Sequence, residues 1–152
     1  MYNRQVSSRL RQEFWTTFGR YMGPVPSAGG TEVNWINYHT GVRNLFFRMN
    51  ADSNEASIAI TLEHRDIAVQ RLYFEKLVQL KNMLHVELQE EWTWKLHDEY
   101  NNRIISRIYT TLPGASILNK EYWPDVISFL KPRIIALDRF WEDAKHGFEE
   151  LM

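Results

Sequence analysis

Apolar residues recur along the chain with two different periods, and the changes of period divide it into elements. Over residues 5–22, Val6, Leu10, Phe14, Phe18 and Tyr21 return every three or four positions, with Arg9, Arg11, Gln12 and Glu13 between them. That is the stripe of an amphipathic helix. Gly23-Pro24 ends it, since proline disfavours a helical residue before it. Residues 23–32, GPVPSAGGTE, keep neither period and read as a loop.

Three strands are predicted next. Residues 33–38 form a short one, ended by the turn His39-Thr40-Gly41. Residues 42–51 form the second, ended by the polar turn Asp52-Ser53-Asn54-Glu55. In the third, Ala56, Ile58, Ile60 and Leu62 alternate with Ser57, Ala59, Thr61 and Glu63, the cleanest period of two in the chain. Residues 65–88 return to the helical period through Val69, Tyr73, Leu77, Leu80, Leu84 and Leu88.

Residues 91–97 predict a fourth strand, with Trp92, Trp94 and Leu96 on one face and Thr93, Lys95 and His97 on the other. The turn DEYNN (98–102) leads to a fifth over residues 103–112, closed by Pro113-Gly114. From about Tyr122 to Leu151 a helical stripe runs through Val126, Leu130, Ile134, Leu137, Trp141, Ala144, Phe148 and Leu151. Pro132 should kink or break that helix, because it cannot donate to the ladder. The expected fold is a single α+β domain over residues 1–152, a five-stranded mainly antiparallel sheet with three helices on one face, in the order α-β-β-β-α-β-β-α.

Composition removes several function classes. The 152 residues contain no cysteine, which excludes a disulfide scaffold, a zinc ribbon, an iron–sulfur centre and a thiol nucleophile. With 18 Lys+Arg against 19 Asp+Glu the net charge is -1, so no whole-molecule field draws the protein to nucleic acid or membrane. No apolar run is long enough to span a bilayer, and Arg4, Arg9 and Arg11 interrupt any signal-peptide core, so a cytoplasmic protein is expected. Phosphate-loop, dinucleotide, zincin, nucleophile-elbow and EF-hand motifs are all missing. Neither a metal site nor a cofactor is expected: no two histidines stand at i, i+4 spacing, His97 is followed by two acids, Asp98 and Glu99, and one turn cannot supply three converging ligands.

Two patterns carry candidate chemistry. The first is the helix–strands–helix order of restriction-endonuclease-like cores, in which acids on adjacent strands hold a divalent metal such as Mg2+. Its candidates here are Asp52, Glu63, Arg65 and Gln70. Arg65 stands where such sites use lysine, and arginine does not deprotonate. Asp52 is in a turn that favours acids anyway.

The second pattern is the sheet face opposite the core. With Leu45, Phe47 and Met49 inward, the outer face collects Asn44, Phe46, Arg48, Ser57, Ala59, Thr61, Glu63, Thr93, Lys95, His97, Arg103, Ile105, Arg107 and Tyr109. Aromatic rings beside cations suit single-stranded nucleic acid, and the same residue types are enriched in protein interfaces. The expected function is a non-enzymatic interaction domain that self-associates as a homo-oligomer, with nucleic acid as the second candidate partner and Arg48, Lys95, Arg103, Arg107, Phe46 and Tyr109 as its contact face. Of the six tryptophans, Trp92, Trp94 and Trp141 read as core, and Trp15 falls just off the first helix's stripe as a partner-facing anchor.

Three phrases carry a family resemblance: RQEFWTTFGRYMGPVPSAGGTEVNWINYHTGVRNLFFRM (11–49), EEWTWKLHDE (90–99) and SRIYTTLPGASILNKEYWPDVISFLKPRIIALDRFW (106–141). They resemble a bacterial family of unknown function, free-standing in Bacteroidetes-like relatives and elsewhere fused behind restriction-endonuclease-like nuclease domains. The resemblance implies an accessory role near DNA, with the chemistry in another domain. It supplies no catalytic motif to transfer.

Overall fold

The computed structural model describes residues 3–152. Helix α1 spans Arg4–Met22, its first turn closed by the Asn3 side chain accepting from the Val6 N–H at 2.8 Å. Strands β1 (Leu45–Ala51) and β2 (Glu55–Leu62) form a hairpin, and α2 (Ile67–Gln79) and α3 (Lys81–Leu88) follow. Strands β3 (Thr93–Tyr100) and β4 (Arg103–Pro113) form a second hairpin before the long helix α4 (Trp123–Ala144). One sheet results, fully antiparallel, in the order β1-β2-β4-β3. Helix α4 crosses β1 and β2, α2 covers β3 and β4, and α1 and α3 pack along α4. Phe47, Ile58, Ile60 and Ile108 from the sheet meet Phe14, Phe18, Leu77, Leu130, Leu137 and Phe140 from the helices in one core.

The fold is α+β with an antiparallel sheet, as expected, but the described residues form four strands and four α-helices instead of five and three. Residues 33–38 are not a strand. Trp35 is buried and Ile36 exposed, and the larger rings are fixed singly, the Trp35 indole donating to the Val25 carbonyl at 2.9 Å and the Tyr38 hydroxyl to Asp138 at 2.6 Å. The backbone is taken up by a side-chain turn instead of a ladder, the Asn37 N–H donating to the Asn34 side chain.

The helix expected over residues 65–88 divides at Leu80, where φ is -95° and ψ is 9°. The Leu80 N–H donates to both Lys76 and Leu77, and the chain turns so that α3 follows α4 while α2 stays on the sheet. The stripe through Leu77, Leu84 and Leu88 stays buried across the break.

The second hairpin turns on Asn101-Asn102 alone, both at positive φ (50° and 62°), so β3 continues three residues past its expected end to Tyr100. Two asparagines suit a tight turn of this hand. Pro132 does not interrupt α4; the chain tightens only at Lys145–Leu151, which forms a 3-10 segment. Among the described residues no helix is long and apolar enough to cross a membrane.

Candidate nucleic-acid interface on the open sheet face

All helices pack on one face of the sheet, so alternation along the strands decides what the other face presents. From β2 it shows Ser57, Ala59 and Thr61, residues too small to fill the space above them. The register sets Arg48 beside Ala59 on β1 and Tyr109 and Arg107 beside Ala59 and Thr61 on β4. Small residues along the middle and large ones on both sides make a groove of about 460 Å³, lined by Arg48, Ser57, Thr61, Glu63, Arg103 and Tyr109 among others.

Glu63 organises one end of the groove. Its carboxylate accepts from Arg48 Nε (3.0 Å) and Nη2 (3.2 Å), from Arg103 Nη2 (2.9 Å) and from the Thr61 hydroxyl (2.7 Å). The Glu63 side chain is only 7% exposed, while those of Arg48 and Arg103 are 47% and 59% exposed. Burial pushes the Glu63 carboxyl up, but the bonds from Arg48 and Thr61, the Arg48 charge and the Arg103 bond together outweigh it and hold it below the usual range. Two guanidiniums share one acid, so this end keeps a cationic surplus with its donors turned to solvent. Arg43 and Arg65 add to it, lining an adjoining depression that shares Glu63 and Arg103 with the groove. The far end is acidic, with Asp52 and Glu55.

Arg107 is held differently. Its Nε and Nη2 both donate to Asp98 Oδ2, at 3.2 and 2.9 Å, and its plane lies 4.3 Å from the Tyr100 ring centroid and 4.0 Å from that of Tyr109. Such a stacked and paired guanidinium braces the wall of the groove. Arg48 lies 4.0 Å above the Phe46 ring, and Lys95 is 5.9 Å from Tyr109.

The residues expected on this face lie there, except Asn44, which precedes β1 in a turn at a φ of 66°, and His97. A bulge shifts the β3–β4 register between Lys95 and Asp98, and His97 takes a φ of 52°. His97 turns to the helical side, where its Nε2 lies 2.9 Å from the Ile67 carbonyl oxygen and its N–H donates to Ser106 Oγ. Asp98 and Tyr100 take its place beside Arg107, and the period of two gave no sign of them.

The four nuclease candidates do not converge. Asp52 accepts from the Asn54 and Glu55 N–H groups at 2.7 and 2.9 Å, closing the β1–β2 turn. Glu63 is at the other end of the same hairpin, its N–H bonded to the Asn44 carbonyl, eight residue steps or roughly 25 Å away. Gln70 is fully buried and clamps three elements: its amide nitrogen donates to the His64 and Ile104 carbonyls, and its oxygen accepts from Ser106. Arg65 is exposed at the mouth of the adjoining depression. Among the described residues no three His, Asp or Glu side chains are grouped as metal ligands.

The tryptophans mostly brace the core. Trp141 donates to the Thr40 carbonyl at 2.7 Å and Trp123 to that of Ile117 at 2.6 Å, while Trp15 is half-buried edge-on to Phe14 and Phe18.

In comparisons with known proteins, no curated protein and no solved structure matches the chain. A family model described as a domain of unknown function, DUF4268, matches residues 10–145, nearly the whole chain, and the protein belongs to that family.

Proposed function

We propose that this protein is a non-enzymatic binding domain that holds a short stretch of nucleic-acid strand in the groove of its open sheet face. One observation carries the reading: a groove floored by Ser57, Ala59 and Thr61 has aromatic rings in its walls and a surplus of half-exposed guanidinium at one end. Phosphates meet Arg48, Arg103, Arg43 and Arg65, and a base lies against Phe46 or Tyr109. The acidic far end limits the footprint to a few nucleotides and opposes a long duplex lying along the groove. The resemblance to domains fused behind nucleases adds an accessory role in DNA processing, with cleavage supplied by another chain.

Fluorescence anisotropy with labelled single- and double-stranded DNA and RNA tests this, with and without magnesium and with the products run on a gel. The expected result is salt-sensitive binding of single strands, uncut product, and a loss of about tenfold or more in Arg48→Ala/Arg103→Ala, at ~1 kcal/mol for each guanidinium removed. Absence of binding at low salt would overturn the reading. Magnesium-dependent cutting that is lost in Glu63→Ala would replace it with a nuclease.

A further inference from the structure

The two edges of the sheet are built differently. Strand β3 carries Lys95, Asp98 and Glu99 and a bulge, features that stop another strand from adding to an edge. Strand β1, Leu-Phe-Phe-Arg-Met-Asn-Ala, has no bulge, proline, lysine or glycine, and its register with β2 is unbroken from Leu45 to Ala51.

Hydrogen bonds at both ends of that hairpin show which groups of β1 are free. The Glu63 N–H donates to the Asn44 carbonyl at 2.8 Å and the Asp52 N–H to the Glu55 carbonyl at 3.0 Å. In an antiparallel pair the bonded positions alternate, so Phe46, Arg48 and Asn50 turn their backbone groups to β2. Leu45, Phe47, Met49 and Ala51 turn theirs to the open edge. Leu45 is already engaged, its N–H donating to the Val42 carbonyl and its carbonyl accepting from the Thr40 hydroxyl. Phe47, Met49 and Ala51 have no backbone partner among the described residues. They open onto a groove of about 940 Å³ whose walls include Arg11, Trp15, Ile36 and Tyr38.

We propose that this edge joins a second copy of the chain, β1 to β1, antiparallel about a two-fold axis at Met49. The free groups select that register. Centring on Met49 pairs Phe47 with Ala51 of the second copy and Met49 with itself, so every free N–H and C=O of both strands is bonded. Centring on Arg48 would set two arginines face to face and require Leu45, which is already bonded; centring on Asn50 would leave Phe47 unpaired. The Met49 register also sets Arg48 opposite Asn50 and diagonal to Asp52 of the second copy, so cation meets acid. The product is a continuous eight-stranded sheet, two fours, with both binding grooves on one face.

Sedimentation velocity across about 1–100 μM tests the association, with a dimer expected whose population rises with concentration. Met49→Pro deletes an N–H that no acceptor among the described residues uses, so the fold should persist by circular dichroism while the dimer dissociation constant rises about tenfold or more. The absence of native cysteine permits a second readout that does not depend on that variant folding. Arg48→Cys and Asn50→Cys, mixed and mildly oxidised, should form a disulfide-linked dimer, because positions 48 and 50 face each other as a non-bonded pair with Cα atoms about 4.5 Å apart. A monomer at every concentration overturns the proposal, as does a dimer that does not cross-link in the mixture. Either failure leaves strand binding in the groove to be judged on its own measurement.

Discussion

Replacing Glu63 removes the group that holds two arginines over the groove, and the structure supplies the terms of the cost. In Glu63→Ala, Arg48 and Arg103 lose their acceptor. Both guanidiniums are about half exposed, so each pair contributes only about 0.5–1 kcal/mol after screening. Thr61 is buried and loses the acceptor of its hydroxyl, a further ~1 kcal/mol. The total is about 2–3 kcal/mol, a fall in Tm of roughly 5–10 °C for a domain of this size. Glu63→Gln keeps the shape and one acceptor oxygen and should cost about half as much.

The pH dependence separates charge from shape. The folded-state carboxyl of Glu63 is lowered from its ordinary value near 4.5. Below that value the unfolded chain takes up the proton first, so the stabilisation is complete above about pH 4.5 and is lost as pH falls through the folded value. Urea unfolding of wild type and Glu63→Gln should show a gap at pH 7 that narrows below pH 4.5. A cost under about 0.5 kcal/mol for Glu63→Ala, or a gap unchanged into acid, would refute the claim that Glu63 organises this end of the groove.

Other substitutions probe the supports. Gln70→Ala leaves the Ser106 hydroxyl and the His64 and Ile104 carbonyls without their partner and should cost about 3 kcal/mol in chemical denaturation. His64 is buried against Tyr73 with its Nδ1 unpartnered, and burial lowers its pKa despite the Asp66 charge. The folded state thus favours neutral imidazole; its contribution is complete above the ordinary value of 6.5 and declines as pH falls through the lowered one, a decline His64→Phe should remove. Arg107→Ala should reduce stability more than strand affinity and Arg48→Ala the reverse, read by melting and anisotropy on the same preparations, because Arg107 is stacked and paired while Arg48 is half free.

Local rules made some of this structure legible. The alternation from Ala56 to Glu63 placed Ser57, Ala59 and Thr61 opposite the core, and the same reasoning put Arg48, Arg103, Arg107 and Tyr109 on their side. The bulge at His97 was not legible, because it depends on one residue's positive φ and on Ser106 of the neighbouring strand. Nothing in Gln79-Leu80-Lys81 marks a helix break, which serves the packing of α3 along α4. Residues 33–38 resemble a strand because Val33, Trp35 and Tyr38 are apolar, yet Trp35 and Tyr38 are fixed by polar partners on Val25 and Asp138. Alternation put Glu63 on the outer face, where it read as a metal-holding acid and not as the acceptor of two arginines. Its meaning comes from a strand order that brings Arg48 and Arg103 to it from opposite sides.

The measurement that bears most directly on the central claim is an amide chemical-shift titration of the protein with a short single-stranded oligonucleotide. Shifts should concentrate on Arg48, Ser57, Ala59, Thr61, Arg103 and Tyr109, saturate together, and collapse when salt is raised from about 50 to about 200 mM. Shifts confined to the exposed arginines of α1, Arg4, Arg9, Arg11 and Arg20, or no shifts at the lower salt, would contradict it.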